Sequence, residues 1–222
     1  MKLKEYFAQL KIDLKPMTFT EKVDHIWTYN KELILIVAGT LFVVIGLLVA
    51  FIQKPEVVFC GYLVNADISE EGNAYLSKDY GQIVGVTGKQ EVQLMMGYFN
   101  PSNSSNAEAN ESTWTQISAI CQERELDYVM ADEVTIQAMA LSEMCMDLTQ
   151  FFTEEEFAQL QDKILYVEMT DGSKIPCAVN ITGTKFFKDC ITYNKDLYIC
   201  FISNTRSVER CHEFWEYLNN WN

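Results

Sequence analysis

Residues 33–52 read LILIVAGTLFVVIGLLVAFI: twenty residues with no charge, no Asn, no Gln and no Pro. At about 1.5 Å of rise per residue such a helix covers about 30 Å, the thickness of a bilayer's hydrocarbon core. A buried helix in a soluble core would carry a polar stripe within four turns. Here the one hydroxyl is Thr40. The run therefore predicts a single membrane span, and its position divides the chain into residues 1–32, an anchor at 33–53 and a domain at 54–222.

The two flanks differ in charge. Residues 1–32 carry six Lys and five acidic residues, whereas 54–222 carry 11 basic and 26 acidic residues within a chain of formal charge −14. Lys11, Lys15, Lys22 and Lys31 precede the span, and Lys54 stands alone after it until Lys78. Basic residues near a span favour the cytoplasmic side. The expected topology is an N-terminus inside and an extracellular C-terminal domain. The run is longer than the roughly 7–15 apolar residues of a cleaved signal peptide, and no small-x-small site follows it. Cys60 lies near the span, but bulky Phe59 precedes it where a lipidated Cys needs a small residue. An uncleaved signal anchor is the expectation.

Before the span, Thr18 and Glu21 read as a capping box. Phe19, Val23, Ile26 and Trp27 follow at helical spacing, as a short amphipathic helix lying at the headgroups. Trp27 and Tyr29 suit the membrane interface, and Lys31 and Lys54 bracket the span.

The acidic domain shows alternating strand and helix signals. Residues 57–64 and 91–99 read as strands, as do 127–131, 165–169, 174–181 and 197–202. Helical spacing is found at 69–83, from Ser112 or Thr113 to Cys121, at 133–146, from the capping box Thr153–Glu156 to Lys163, and at 207–218. Asn65 to Ile68 reads as a turn, Asn100 to Asn110 as a polar exposed loop, and Asp171-Gly172 as a hairpin turn. The pattern predicts an α/β domain with a mixed, mostly parallel sheet covered by helices. All seven Cys lie in this domain without a CxxC spacing, and most read as buried small hydrophobes.

Catalytic and metal signatures are absent. His25 and His212 are the chain's two His. No HExxH, GxSxG, P-loop or paired Cys ligands occur, so no catalytic residue, metal ligand or cofactor is assigned. Glu154, Glu155 and Glu156 sit in a first helical turn, where the macrodipole favours negative charge. A net negative domain argues against nucleic acid as a partner. Ligands of open α/β sheets gather at strand carboxyl ends. Those ends are Asn65 and Asp67, Asp132 and Glu133, and Asn180 and Thr182, which are the candidate ligand-binding residues. Helix caps and turns use the same residue types.

Four segments, in order, resemble extracellular solute-binding proteins of transporter systems. They are WTQISAICQERELDYVMAD (114–132), Met146-Asp147-Leu148-Thr149, DGSKIPCAV (171–179) and SNTRSVERCHEFWEYL (203–218). The resemblance implies one truncated lobe of a periplasmic-binding-protein fold, since the domain has room for one lobe. It implies a non-catalytic module that binds a small solute, a peptide or an envelope protein, with a helix replacing the lipid anchor. The anchored layout also resembles envelope proteins of Gram-positive anaerobes. Two other classes stand beside this reading: an envelope scaffold without a small ligand, and a carboxylate-based hydrolase.

Overall fold

The computed structural model describes residues 11–12, 14–100 and 107–221, and of Tyr29, Asn30, Leu33 and Ala107 it describes the backbone. Most of the loop expected at Asn100–Asn110, and the interfacial placement of the Tyr29 ring, lie outside the described residues. The chain forms two compact units, 1–54 and 55–222.

In the first unit the Glu21 carboxylate accepts from the Thr18 N–H and hydroxyl, both at 2.8 Å, so the expected capping box forms. It opens α1, Phe19–Gln53, an unbroken helix of 35 residues. A short helix followed by a separate span was expected. The two are one, because Trp27 to Leu33 contains neither Pro nor Gly to end the first. Within α1, Ile34–Gln53 has a mean hydropathy of 3.0 and none of it is buried by the rest of the chain, so it is long and apolar enough to cross a membrane. Thr40 is no obstacle, since its hydroxyl donates to the Ile36 carbonyl at 2.8 Å and leaves no unpaired donor. Trp27, Lys31 and Lys54 are exposed. Lys54 leaves the helix in an extended conformation ahead of Pro55, which disfavours a helical residue before it.

The second unit is built on a six-stranded sheet. Its strands are β1 (Glu56–Val64), β3 (Gln90–Gly97), β4 (Tyr128–Ala131), β5 (Ile164–Glu168), β6 (Lys174–Asn180) and β8 (Tyr198–Phe201), in the order β3-β1-β4-β8-β6-β5. β1 pairs in parallel with β3 and β4, and the remaining three pairings are antiparallel. The sheet is thus mixed, with four strands running one way and β8 and β5 the other. The Asp171-Gly172 turn joins β5 to β6 as expected, with Gly172 at φ +82°, a value that glycine adopts without strain.

Strand period two sorts the core into two layers. Phe59 and Leu63 of β1, Tyr128 and Met130 of β4, and Ile199 and Phe201 of β8 face one side. Cys60, Tyr62 and Val64, with Val129, Ala131 and Cys200, face the other. The first side is covered by α2 (Glu70–Ala74), which runs through a π-turn into α3 (Tyr80–Ile83), then by α6 (Leu148–Phe151), α7 (Glu154–Leu160), α8 (Lys185–Cys190) and α9 (Val208–Asn219). The second is covered by α4 (Ala107–Gln122) and α5 (Glu133–Leu141). Both faces are buried, which is why β1 reads as a continuous apolar run.

Three expectations need correction. Asn65 to Ile68 is not simply a turn: Asp67–Ile68 forms β2, which pairs with β7 (Ile191–Thr192) as a small second sheet. Neither strand has enough residues to show a period. The helix expected over 133–146 stops at Leu141, because Glu143 adopts φ +58° and the Met144 N–H turns back to the Met139 carbonyl. α4 begins at Ala107 rather than at Ser112. Its entry is held by Asn110, whose side chain exchanges two 2.7 Å bonds with the Asn100 backbone.

Candidate functional site

The helices after β1 and after β4 leave to opposite faces of the sheet. The crevice between the carboxyl ends of these two neighbouring strands is therefore a topological switch point, the place where α/β sheets take ligands. Asn65 ends β1 there and Asp132 ends β4. Asn65 lies at φ +64°, a left-handed conformation that Asn tolerates better than most residues.

These two side chains are brought together. The Asn65 amide donates to Asp132 Oδ2 at 2.8 Å and to the Phe99 carbonyl at 2.6 Å, and its oxygen accepts from the Phe99 N–H at 2.8 Å. Asp132 is also the N-cap of α5, its Oδ1 accepting from the Thr135 N–H at 2.9 Å. The Tyr193 hydroxyl donates to Asp132 Oδ2 at 3.1 Å. Burial, and then the Asp132 charge beside it, push the Tyr193 hydroxyl up to about 12, so it stays a donor. One half-buried carboxylate thus gathers β1, the end of β3, α5 and the segment after β7.

The other expected residues lie on the same edge but outside this cluster. Glu133 is exposed and accepts from Gln137. Asn180 accepts from the Thr182 N–H at 2.9 Å, and the Thr182 hydroxyl accepts from the Leu197 N–H at 2.8 Å. Asn180 and Thr182 therefore shape the exit of β6. Asp67 is exposed in β2, opposite Thr192.

Sequence reasoning missed the tyrosines of this edge. Tyr193 reaches Asp132 only because the β2–β7 pairing carries it there. Tyr198 opens β8 opposite both Ala131 and Asn180. Burial, and then nearby Asp196, raise its hydroxyl above the ordinary value. Tyr98 follows β3, and its backbone N–H donates to the Thr113 hydroxyl at 3.2 Å. Tyr193, which reaches the carboxylate, packs with the core layer on one side of the sheet, and Tyr198 with the layer on the other.

At the opposite edge lies a second carboxylate that the sequence read only as the start of a strand. Asp127 is buried, accepts from the Cys60 N–H at 2.8 Å, and accepts from the Thr205 hydroxyl. Burial raises its carboxyl above the ordinary value, although these two bonds and nearby Arg210 pull it down. Its partners are β1 and the loop before α9, so it ties the middle of β1 to that loop inside the fold. Cys211 and His212 do not combine: the Cys211 thiol is buried against the Asp127 carbonyl, and the His212 ring stacks on Phe151 at 3.9 Å. Among the described residues no group of three or more His, Cys, Asp or Glu is arranged to hold a metal ion.

No protein-family model, curated protein or solved structure matches this chain.

Proposed function

We propose that this chain is a single-pass membrane protein whose acidic α/β domain is an extracytoplasmic binding module, non-catalytic and tethered by α1. The observation that carries the reading is the edge at the β1/β4 switch point. A polar half-buried cluster, Asn65 with Asp132 and Tyr193, sits there, while Tyr98 follows β3 and Tyr198 opens β8 on the same edge. Tyrosine offers flat apolar area with one polar tip, a chemistry suited to sugars and peptides. The resemblance to one lobe of a solute-binding protein points the same way, and the Lys-rich flank before the span favours a cytoplasmic N-terminus.

The second reading, an envelope scaffold, draws on the outer edge of the sheet. Among the described residues β3 pairs only with β1, and Met96 on it is 57 % exposed. An open edge strand is a template for pairing with another chain.

Two measurements test the proposal. Protease added to intact cells should degrade residues 54–222, and their protection would overturn the orientation. Thermal-shift screening of the full chain in detergent against sugars, amino acids and peptides should give a rise in Tm with one class, diminished in Tyr193→Phe. No rise with any class, together with a co-purifying envelope protein, would transfer the function to the scaffold.

A further inference from the structure

A groove of about 420 Å³ lies where α7 meets the last two turns of α9. None of its lining residues belongs to the cluster around Asp132. Glu156 and Leu160 reach it from α7, spaced i and i+4 on one helix face. Trp215, Glu216, Asn219 and the C-cap Asn220 reach it from α9, again at spacings of three and four. The size falls within the roughly 300–1,000 Å³ of small-molecule sites.

Trp215 closes the buried stripe of α9 and is 9 % exposed, its ring set edge-on to Phe152 at 5.5 Å. Among the described residues the polar side-chain atoms sealed from solvent without a partner are the Tyr128 and Thr135 hydroxyls. The Trp215 N–H is not one of them, and no described group accepts from it, so it meets solvent. A buried indole ordinarily finds an acceptor in the protein. Here the ring is fixed and the donor is left for whatever enters the groove.

The other polar groups are equally ready. One oxygen of Glu156 accepts from the Thr153 hydroxyl at 2.7 Å and the Thr153 N–H at 2.9 Å. These bonds hold its carboxyl below the usual range, so it is ionised. Its other oxygen has no hydrogen-bond partner among the described residues. The Asn219 amide N–H donates to the Trp215 carbonyl at 2.8 Å, which leaves the amide oxygen for the groove.

We propose that this groove is a binding site for a neutral carbohydrate, with the Trp215 N–H donating to a sugar hydroxyl and Glu156 and Glu216 accepting from others. Two carboxylates and no Lys or Arg line it, which argues against an anion. An ammonium group suits the carboxylates but cannot accept from the indole. A hydroxyl does both. A peptide backbone also does both, but peptides rely on apolar anchors, and Leu160 is the one aliphatic side chain in the lining. Binding here breaks no hydrogen bond of the fold. The inference goes beyond the carboxyl-edge reading and stands on different residues.

The test is isothermal titration of the full chain, in a detergent without a sugar headgroup. The probes are glucose, N-acetylglucosamine and the β1,4-linked disaccharide of each, with a tripeptide and tetramethylammonium as comparison arms. At least one sugar should bind saturably. Glu156→Gln keeps a residue that completes the capping box, and Glu216→Gln changes an exposed side chain. Each should weaken binding by about three- to tenfold through loss of a charge-assisted bond. Trp215→Phe should weaken it about fivefold or more. Far-UV circular dichroism checks each variant, and if Trp215→Phe fails to fold, Glu216→Gln decides. No binding of any sugar, or binding of the tripeptide or tetramethylammonium alone, would overturn the proposal. Sugar binding that is lost in Tyr193→Phe yet unchanged in Glu216→Gln would overturn it too, while upholding the carboxyl edge.

Discussion

Gly61 stands in the middle of β1 and has no side chain where a core strand would ordinarily place one. A methyl added at this position would lie 2.5 Å from Tyr128 Cε1, and closer still to Cζ and the hydroxyl. Ordinary carbon contacts are about 3.5–4.0 Å, so the overlap is about 1 Å or more. The ring cannot yield. Tyr128 is fully buried, stacked on Phe214 at 4.3 Å and held by Phe59 at 5.4 Å. The backbone cannot easily yield either, because β1 is paired on both sides. Overpacking costs about 1–3 kcal/mol, and a pinned ring against a central strand belongs at the upper end. Reduced freedom of the unfolded chain returns about 0.4–1 kcal/mol. Gly61→Ala should therefore lose about 2–3 kcal/mol, which for a domain of this size lowers Tm by roughly 4–12 °C.

Urea unfolding of the full chain in detergent, followed by tryptophan fluorescence, measures the loss. Gly183→Ala is the control, since nothing lies within 4 Å of an added Cβ there, and it should change stability by less than about 0.5 kcal/mol. Tyr128→Leu opens space at the clash. The double variant Gly61→Ala/Tyr128→Leu should lose less than the sum of the two single losses, by about 0.5 kcal/mol or more. A Gly61→Ala protein within about 0.5 kcal/mol of wild type, or strictly additive losses, would refute the packing argument.

Two further outcomes follow from buried polar groups. The Tyr128 hydroxyl is buried without a hydrogen-bond partner among the described residues, so Tyr128→Phe should be neutral or stabilising by up to about 1 kcal/mol, and a fall in Tm of several degrees would refute this. Asp127 has a raised carboxyl value in the folded state, so between its unfolded value near 3.9 and the folded one the native protein binds more protons. Stability attributable to Asp127 is then fully present at lower pH and falls as pH rises through that window. The stability difference between Asp127→Asn and wild type, measured by urea unfolding at a series of pH values, should shift in favour of Asn across the window and level off above it. A difference that is flat with pH would show that Asp127 is not shifted.

What the sequence made legible follows from what repeats within it. Residues 33–52 announce their helix because twenty consecutive side chains agree. β1 announces a strand buried on both faces because Val57 to Val64 is apolar almost throughout, and α9 shows its buried stripe in Cys211, Phe214, Trp215 and Leu218. Thr18–Glu21 and Thr153–Glu156 are local bonds, so their spacing alone finds them. What stayed hidden depends on distant partners. β2 and β7 have two residues each and exist through one another. The end of α5 is set by a positive φ at Glu143, a residue with no special preference for it. At the candidate site, strand-end logic placed all six expected residues on one edge, but the tyrosines were invisible because topology, not motif, brings them there.

The hydrogen bonds at that edge restrict how the proposed binding can work. Asp132 already accepts from Thr135, Asn65 and Tyr193, and both ends of the Asn65 amide are engaged. Breaking these bonds to seat a solute would leave half-buried donors unsatisfied, at about 1–3 kcal/mol each. In the proposed reading a solute at this edge is held without that cost, by the part-exposed ring of Tyr193. Asn65 and Asp132 then act as positioning residues. They fix the β1 exit and the start of α5, and through Tyr193 they hold one wall of the crevice at a set angle. Recognition at such a wall relies on ring faces and shape more than on charge, which accords with a site whose central carboxylate is already spent on the fold.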